Sequence, residues 1–102
     1  MADQLPHNFF LRVIKLCETL PESPAGQSIS RQLIDSSGGT DSNYRAACRA
    51  RSTKEFIAKI GVAAEEADES KGWLQALHNR PLHNPSVHNP QSSILNVRGS
   101  LP

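Results

Sequence analysis

Aromatic residues, cysteines and long apolar runs are all scarce in this chain. Only 5% of its 102 residues are Phe, Trp or Tyr, and two residues are cysteine. A core with so few rings must be built from aliphatic and alanine side chains, so the composition predicts one small domain with a modest core. No apolar stretch reaches the roughly 18 residues that indicate a membrane-spanning helix.

The features of a secretory signal are also missing. Residues 1–20 have neither a basic start nor an uninterrupted apolar centre. We therefore expect a cytoplasmic protein that makes no membrane contact. In that compartment Cys17 and Cys48 are expected to be reduced thiols packed on helix faces, and a disulfide or a reactive thiol is the alternative.

Signatures of catalysis and of cofactor binding are absent. The sequence has no glycine-rich phosphate loop and no Ser, His and Asp arrangement at motif spacing. The acids Glu65 and Glu69 lie one helical turn apart, which is typical of a solvated helix surface. We predict that the protein is not an enzyme and that it has no catalytic residues and no cofactor.

Apolar residues recur at helical spacing in the first part of the chain. This spacing predicts a first helix over residues 7–20, which Pro21 ends. Ser23 and Pro24 then supply an N-cap and a first-turn proline for a second helix. We expect residues 36–39, Ser-Ser-Gly-Gly, to interrupt that helix, which resumes near Asn43 and carries Tyr44, Ala47 and Cys48 inward.

A capping box marks the start of a third helix. The Ser52 hydroxyl can accept a hydrogen bond from the backbone N–H of Glu55, while the Glu55 carboxylate can reach back to the N–H of Ser52. The helix should therefore begin at about Thr53. Beyond it, apolar and small residues alternate at spacings of four and three: Phe56, Ile60, Ala63, Ala67, Ser70, Leu74 and Leu77. Small residues in the middle of this seam should let a partner helix approach closely near Ala63 and Ala67.

One stretch of the chain resembles a known family. The residues that carry the resemblance are Asn43-Tyr44, Ala47, Ala50-Arg51-Ser52, Glu55-Phe56-Ile57, Glu66-Ala67, Glu69 and Trp73-Leu74. Through about Leu77 the chain resembles the bacterial four-helix bundle proteins first noticed as open reading frames inside intervening sequences of large-subunit ribosomal RNA genes. The resemblance implies an all-α antiparallel helical bundle and rings of five identical subunits. It also implies a link to RNA or DNA, because relatives include the accessory subunit of diversity-generating retroelements.

The last part of the chain departs from that family. Three approximate five-residue repeats begin at His78, His83 and His88, and their prolines exclude a regular helix where relatives have a fourth one. We therefore predict a helical bundle domain at residues 1–78 with three helical regions, and an irregular tail at residues 79–102. The three histidines lack carboxylate or cysteine partners, so no metal site is predicted.

Charge is unevenly distributed along the chain although its formal net charge is only +1. Residues 41–60 hold five basic and two acidic residues, a balance of +3, whereas residues 61–78 hold one basic and four acidic residues, a balance of −3. The basic residues are Arg45, Arg49, Arg51, Lys54 and Lys59. They are the predicted nucleic-acid-binding residues, since several cations near one helix–helix turn can face a phosphate backbone.

A second interpretation of the same cations stays open. They can be solvated, or they can pair with Glu65, Glu66 and Glu69 within one subunit or between subunits. The sequence therefore favours a self-assembling helical-bundle protein with an RNA- or DNA-binding accessory role. The alternative is a purely structural or protein-interaction module that does not bind nucleic acid.

Overall fold

Three α-helices make up the fold. The structure, a computed structural model, describes residues 4–82, in which α1 spans Leu5–Cys17, α2 spans Pro24–Cys48 and α3 spans Thr53–Asn79. No strand occurs within those residues, so the all-α prediction is confirmed. Both α1 and α3 pack mainly against α2, which is the central element. Nearly all of the predicted tail, including His83 and His88, lies outside the described residues.

The first helix is shifted toward the amino terminus relative to the prediction. It begins at Leu5 because Pro6 fits in the first turn of a helix, where its missing N–H is not needed. The helix ends at Cys17, where the hydrogen-bond spacing shortens from four residues to three. The N–H of Thr19 donates to the carbonyl of Leu16 at 2.9 Å. Residues 18–20, which were predicted to be helical, therefore form a turn before the buried Pro21.

The second helix starts as predicted. Ser23 has an extended backbone, and its hydroxyl oxygen accepts a hydrogen bond from the N–H of Gly26 at 3.1 Å. Pro24 occupies the first turn. The connection from α1 lies directly on this turn, since a Cβ added at Gly26 would overlap the carbonyl oxygen of Pro21. Only glycine fits there without movement of the backbone.

The predicted interruption at residues 36–39 is wrong, because α2 continues without a break through Cys48. The two glycines have a packing role instead. A Cβ at Gly38 would lie 3.2 Å from the ring of Phe10, and a Cβ at Gly39 would lie 2.6 Å from the carboxylate of Glu66. Neighbouring helices therefore approach α2 on two sides at these positions, and this packing outweighs the low helix propensity of glycine.

The third helix begins at Thr53, as predicted. The Ser52 hydroxyl accepts a hydrogen bond from the N–H of Glu55 at 3.0 Å. The reciprocal bond differs by one residue from the prediction, because the Glu55 carboxylate accepts from the N–H of Arg51 at 3.3 Å. The N–H groups of Arg51 and Ser52 are adjacent at the start of α3. The difference of one residue therefore leaves the helix boundary unchanged.

Small and polar side chains dominate the interior. Among the described residues the buried hydrophobic side chains are Val13, Leu33, Ala47 and Ala63, and the buried polar ones are Ser36, Ser37, Asp41 and Ser70. Small serine side chains, rather than large apolar ones, fill the space between α2 and α3. The hydroxyl oxygens of Ser36 and Ser70 are 2.7 Å apart there. This polar contact allows the two helices to lie close together.

The predicted seam of α3 is only partly buried. Ala63 and Ser70 face α2 and are buried, whereas Ala67 is exposed and Phe56 is 45% exposed. Phe56 and Ala67 lie to one side of the face of α3 that contacts α2. Because α1 is short and packs mainly on α2, it does not cover that side of α3 along its length.

Candidate nucleic-acid interface and association surface

The predicted basic residues meet at one end of the α2–α3 pair, which we name the basic tip. Arg45 lies in the last turn of α2, Arg49 is its C-cap, and Arg51 lies in the turn to α3. Lys54 and Lys59 follow within the first two turns of α3. All of these residues are exposed except Lys59, which is half-buried. The two arginines at the end of α2 also lie at the negative end of its helix dipole, which stabilises their positive charge there.

A buried carboxylate holds one of these arginines. Oδ2 of Asp41 lies 3.3 Å from Nη2 of Arg45, one helical turn away, and 2.9 Å from Nδ1 of His7 on α1. Asp41 is only 2% exposed, and its other oxygen, Oδ1, has no hydrogen-bond partner among residues 4–82. The carboxylate thus ties the start of α1 to α2 and fixes Arg45 at the surface, where 54% of its side chain stays exposed.

The pairing with acidic residues that the sequence left open does not occur within the described part of the subunit. Across residues 4–82, both ion pairs involve Asp41, and none joins the basic tip to Glu65, Glu66 or Glu69. The spacing of four between Asp41 and Arg45 could have identified their pair. The contribution of His7 has no sequence signal, because it depends on how α1 docks.

Two large apolar side chains lie exposed next to the basic tip. Phe56 is 45% exposed and Ile57 is 64% exposed, both in the first two turns of α3. The sequence pattern placed Phe56 on the helical seam that packs against a partner helix. The structure therefore adds an accessible ring to this end of the molecule.

A second surface that no described residue covers runs between α1 and α3, and we name it the apolar groove. It consists of two adjoining depressions of about 580 and 440 Å³ that share Phe9 and Leu74. The other apolar residues that line it include Leu5, Val13, Leu16 and Ala67. Leu5 is 65% exposed at one end of the groove. Exposed apolar surfaces of this kind are typical of interaction sites and of ligand-binding grooves.

The two cysteines are free thiols that differ in exposure. Burial raises the pKa of the Cys17 thiol, opposed by a smaller lowering from Ser30, so the thiolate is disfavoured at neutral pH. Cys48 is exposed, which contradicts the prediction that it points inward. It lies in the last turn of α2, beyond the part of that helix that α1 covers.

Metal sites and membrane-spanning helices are both missing from the described residues. Residues 4–82 contain no cluster of three or more His, Cys, Asp or Glu side chains that could hold a metal ion. His78 is exposed near the end of α3. No described helix is both long enough and apolar enough to cross a bilayer.

The sequence was compared with protein families, curated proteins and solved structures. The family model of the 23S rRNA-intervening sequence proteins matches residues 3–97. The match extends past Leu77, where the resemblance was expected to end, and so includes much of the predicted tail. No curated protein and no solved structure matches the chain.

Proposed function

Because the chain belongs to the 23S rRNA-intervening sequence protein family, we propose that it is a non-enzymatic helical-bundle protein that self-associates and binds RNA or DNA through its basic tip. The observation that carries the proposal is the cluster of exposed cations at one end of the α2–α3 pair. Of these cations, Arg45 alone forms an ion pair within the described residues, and it remains half exposed.

The chemistry of the tip favours phosphate over base recognition. Arg49 and Arg51 present planar guanidinium groups that can donate two hydrogen bonds to one phosphate, and Lys54 adds a flexible point charge. All three side chains are exposed, which suits contact with a phosphate backbone better than selection of a base. Binding should therefore depend little on sequence and strongly on salt, as expected when cations release the counterions of a nucleic acid.

Self-association is supported by the apolar groove. A domain whose described core has one large, fully buried aliphatic residue, Leu33, has little apolar surface to stabilise it as a monomer. Burying Leu5, Phe9 and Leu74 against another subunit would add to that core. A ring of five subunits, which the family resemblance implies, is the assembly that we propose.

A second function is favoured by one observation. Asp41 engages Arg45 in an ion pair, so at least one cation of the tip has a structural use. In the alternative, the protein is a structural or protein-interaction module, and the remaining cations pair with acidic residues of neighbouring subunits. This alternative predicts an effect of the arginines on assembly and none on nucleic-acid binding.

The test compares two triple variants. One replaces Arg45, Arg49 and Arg51 with Ala, and the matched control replaces three exposed cations away from the tip with Ala: Lys15, Arg31 and Arg80. Fluorescence anisotropy with two unrelated single-stranded RNAs, each measured over a salt series, reports affinity and salt slope. Light scattering reports molecular mass.

We expect the tip variant to bind both RNAs more weakly by a similar factor. Its salt slope should flatten by about 0.7 for each phosphate that the variant no longer neutralises, while the control variant keeps most of its affinity. Unchanged RNA binding together with a smaller assembly would instead establish the structural alternative. A wild-type protein that binds neither RNA at low salt would reject the nucleic-acid function.

A further inference from the structure

An exposed aromatic ring lies beside the cations of the basic tip. Phe56 is 45% exposed in the first two turns of α3, and its N–H donates to the carbonyl of Ser52 at 2.9 Å. We propose that the tip binds single-stranded nucleic acid, with one unpaired base stacked on the ring of Phe56 and the flanking phosphates bound by neighbouring cations. This inference rests on the nucleic-acid function proposed above and specifies the class of ligand.

The packing of α2 against α3 determines which cations flank the ring. The two helices are antiparallel, and Gly39 lies beside the side chain of Glu66. Ten residues further along α2 is its C-cap, Arg49, and ten residues back along α3 is Phe56. Because both helices rise by about 1.5 Å per residue, Arg49 and Phe56 lie at about the same level. Lys59 follows three residues after Phe56, as its neighbour on the surface of α3. A cation therefore lies on each side of the ring.

The ring is exposed because the partner helix ends at this level. Phe56 precedes the buried Ala63 by about two turns, so it lies beside the face of α3 that contacts α2. The last residue of α2 is Cys48, one residue before the level of Phe56. The subunit thus leaves part of an aromatic side chain in water, and a base stacked on it would cover that apolar surface.

The arrangement of apolar side chains suits a flat ligand better than a protein surface. Ile57 is also exposed, but successive residues of a helix point about 100° apart, so Phe56 and Ile57 do not form one patch. A single ring with a cation on each side matches a planar base that is flanked by phosphates. Every base has a face that can stack, so this contact agrees with binding that depends little on sequence.

The same geometry separates single strands from duplexes. Bases inside a duplex are already paired and stacked, so the ring of Phe56 can reach a base only at a duplex end. Cations alone favour the duplex, because its phosphates have a higher charge density than those of a single strand. A preference for single strands therefore requires the ring, whereas a tip that binds only phosphates would prefer the duplex.

Strands without bases distinguish stacking from phosphate contact. Fluorescence anisotropy at one fixed salt concentration compares oligo-dT of about ten nucleotides with an abasic strand and with a duplex of the same length. A parallel series with oligo-rU identifies the sugar that the tip prefers. We expect the wild type to bind oligo-dT at least about fivefold more tightly than the abasic strand, and more tightly than the duplex.

Two substitutions of Phe56 test the ring itself. Phe56→Leu keeps an apolar side chain and should lower the affinity for oligo-dT to within about twofold of that for the abasic strand, whose own affinity stays unchanged. Phe56→Trp keeps an aromatic ring and should bind oligo-dT at least as tightly as the wild type. The matched control is Ile57→Ala, which removes a more exposed apolar side chain and should leave the ratio of the two affinities unchanged. Circular dichroism verifies that every variant is helical.

Fluorescence gives a direct signal of stacking. The chain has one tryptophan, Trp73. In a Trp73→Phe background, Phe56→Trp therefore places the single tryptophan at the tip. Oligo-dT should quench its emission, and the abasic strand should not.

The outcomes separate this inference from the proposed function. Equal affinity of the wild type for oligo-dT and the abasic strand, or a Phe56→Leu variant that keeps the gain from the bases, would overturn stacking and leave phosphate binding intact. A Phe56→Leu variant that forms a smaller assembly by light scattering, with an unchanged ratio of affinities, would assign the ring to a subunit contact instead. A wild type that binds none of these ligands at low salt would overturn both. Loss with Phe56→Leu and retention with Phe56→Trp supports the stacked base.

Discussion

Removing the two hydroxyls that link α2 to α3 should give strongly non-additive losses of stability. The oxygens of Ser36 and Ser70 are 2.7 Å apart and both side chains are buried. Each hydroxyl has a second partner in its own helix: Ser70 can donate to the carbonyl of Glu66 at 3.1 Å, and Ser36 can donate to the carbonyl of Leu33 at 3.4 Å. Neither side chain is therefore left wholly unpaired when the other is replaced.

The expected magnitudes follow from these partners. Each single change to Ala loses the interhelical hydrogen bond, about 1 kcal/mol, and regains about 0.5 kcal/mol because Ala has the higher helix propensity. The double variant loses the same bond only once and gains the propensity twice, so its free energy of unfolding should be close to that of the wild type. The coupling energy between the two sites is then about 1 kcal/mol.

Urea unfolding followed by circular dichroism, at one fixed protein concentration, measures the four proteins of this cycle. Ser37→Ala provides the matched control when combined with Ser70→Ala. The Ser37 hydroxyl donates within its own helix, to the carbonyl of Leu33 at 2.6 Å, so its effect should add to that of Ser70→Ala. A coupling energy below about 0.3 kcal/mol between Ser36 and Ser70 would refute the reasoning.

Two further predictions concern local structure. Ser52→Ala removes the acceptor for the N–H of Glu55 and should lower the free energy of unfolding by about 1 kcal/mol, and an unchanged urea midpoint would contradict the assigned cap. Gly26→Ala forces a methyl group against the carbonyl of Pro21 and should destabilise by about 1 to 3 kcal/mol, whereas Gly72→Ala, in open space, should stabilise by up to about 1 kcal/mol. Equal midpoints for the two glycine variants would show that the connection before α2 moves freely.

The starts of α2 and α3 were predictable from the sequence because they depend on local hydrogen bonds. Ser23 and Ser52 each cap a helix with their own hydroxyl, and the partner N–H lies three residues ahead in both cases. Such bonds need no information about the rest of the chain. The start at Thr53 and the first-turn position of Pro24 were therefore identified correctly.

The course of α2 was not predictable by the same reasoning. Gly38 and Gly39 have low helix propensity, and the sequence alone does not reveal that Phe10 and Glu66 approach them from α1 and α3. Propensity predicted a break, whereas tertiary packing requires small residues in an unbroken helix. The error arose from contacts between residues far apart in the chain.

In the candidate site, too, features that depend on local sequence were predictable, whereas features that depend on tertiary packing were not. The exposure of Arg49 and Arg51 follows from their place at a turn, and the sequence was sufficient to predict it. The exposure of Phe56 was missed because a helical period identifies one face of a helix without indicating how far the partner extends along it. The link between His7 and Asp41 depends on the docking of α1, for which no local pattern exists.

The central position of α2 has a consequence for the order of folding. A connection of only four residues, 49–52, joins α2 to α3, so their pairing forms a helical hairpin at small cost in chain entropy. The shorter α1 has α2 as its main support, through the ring of Phe10 near Gly38 and the hydrogen bond from His7 to Asp41. We therefore expect the amide hydrogens of α1 to exchange through openings of lower free energy than those of the α2–α3 hairpin.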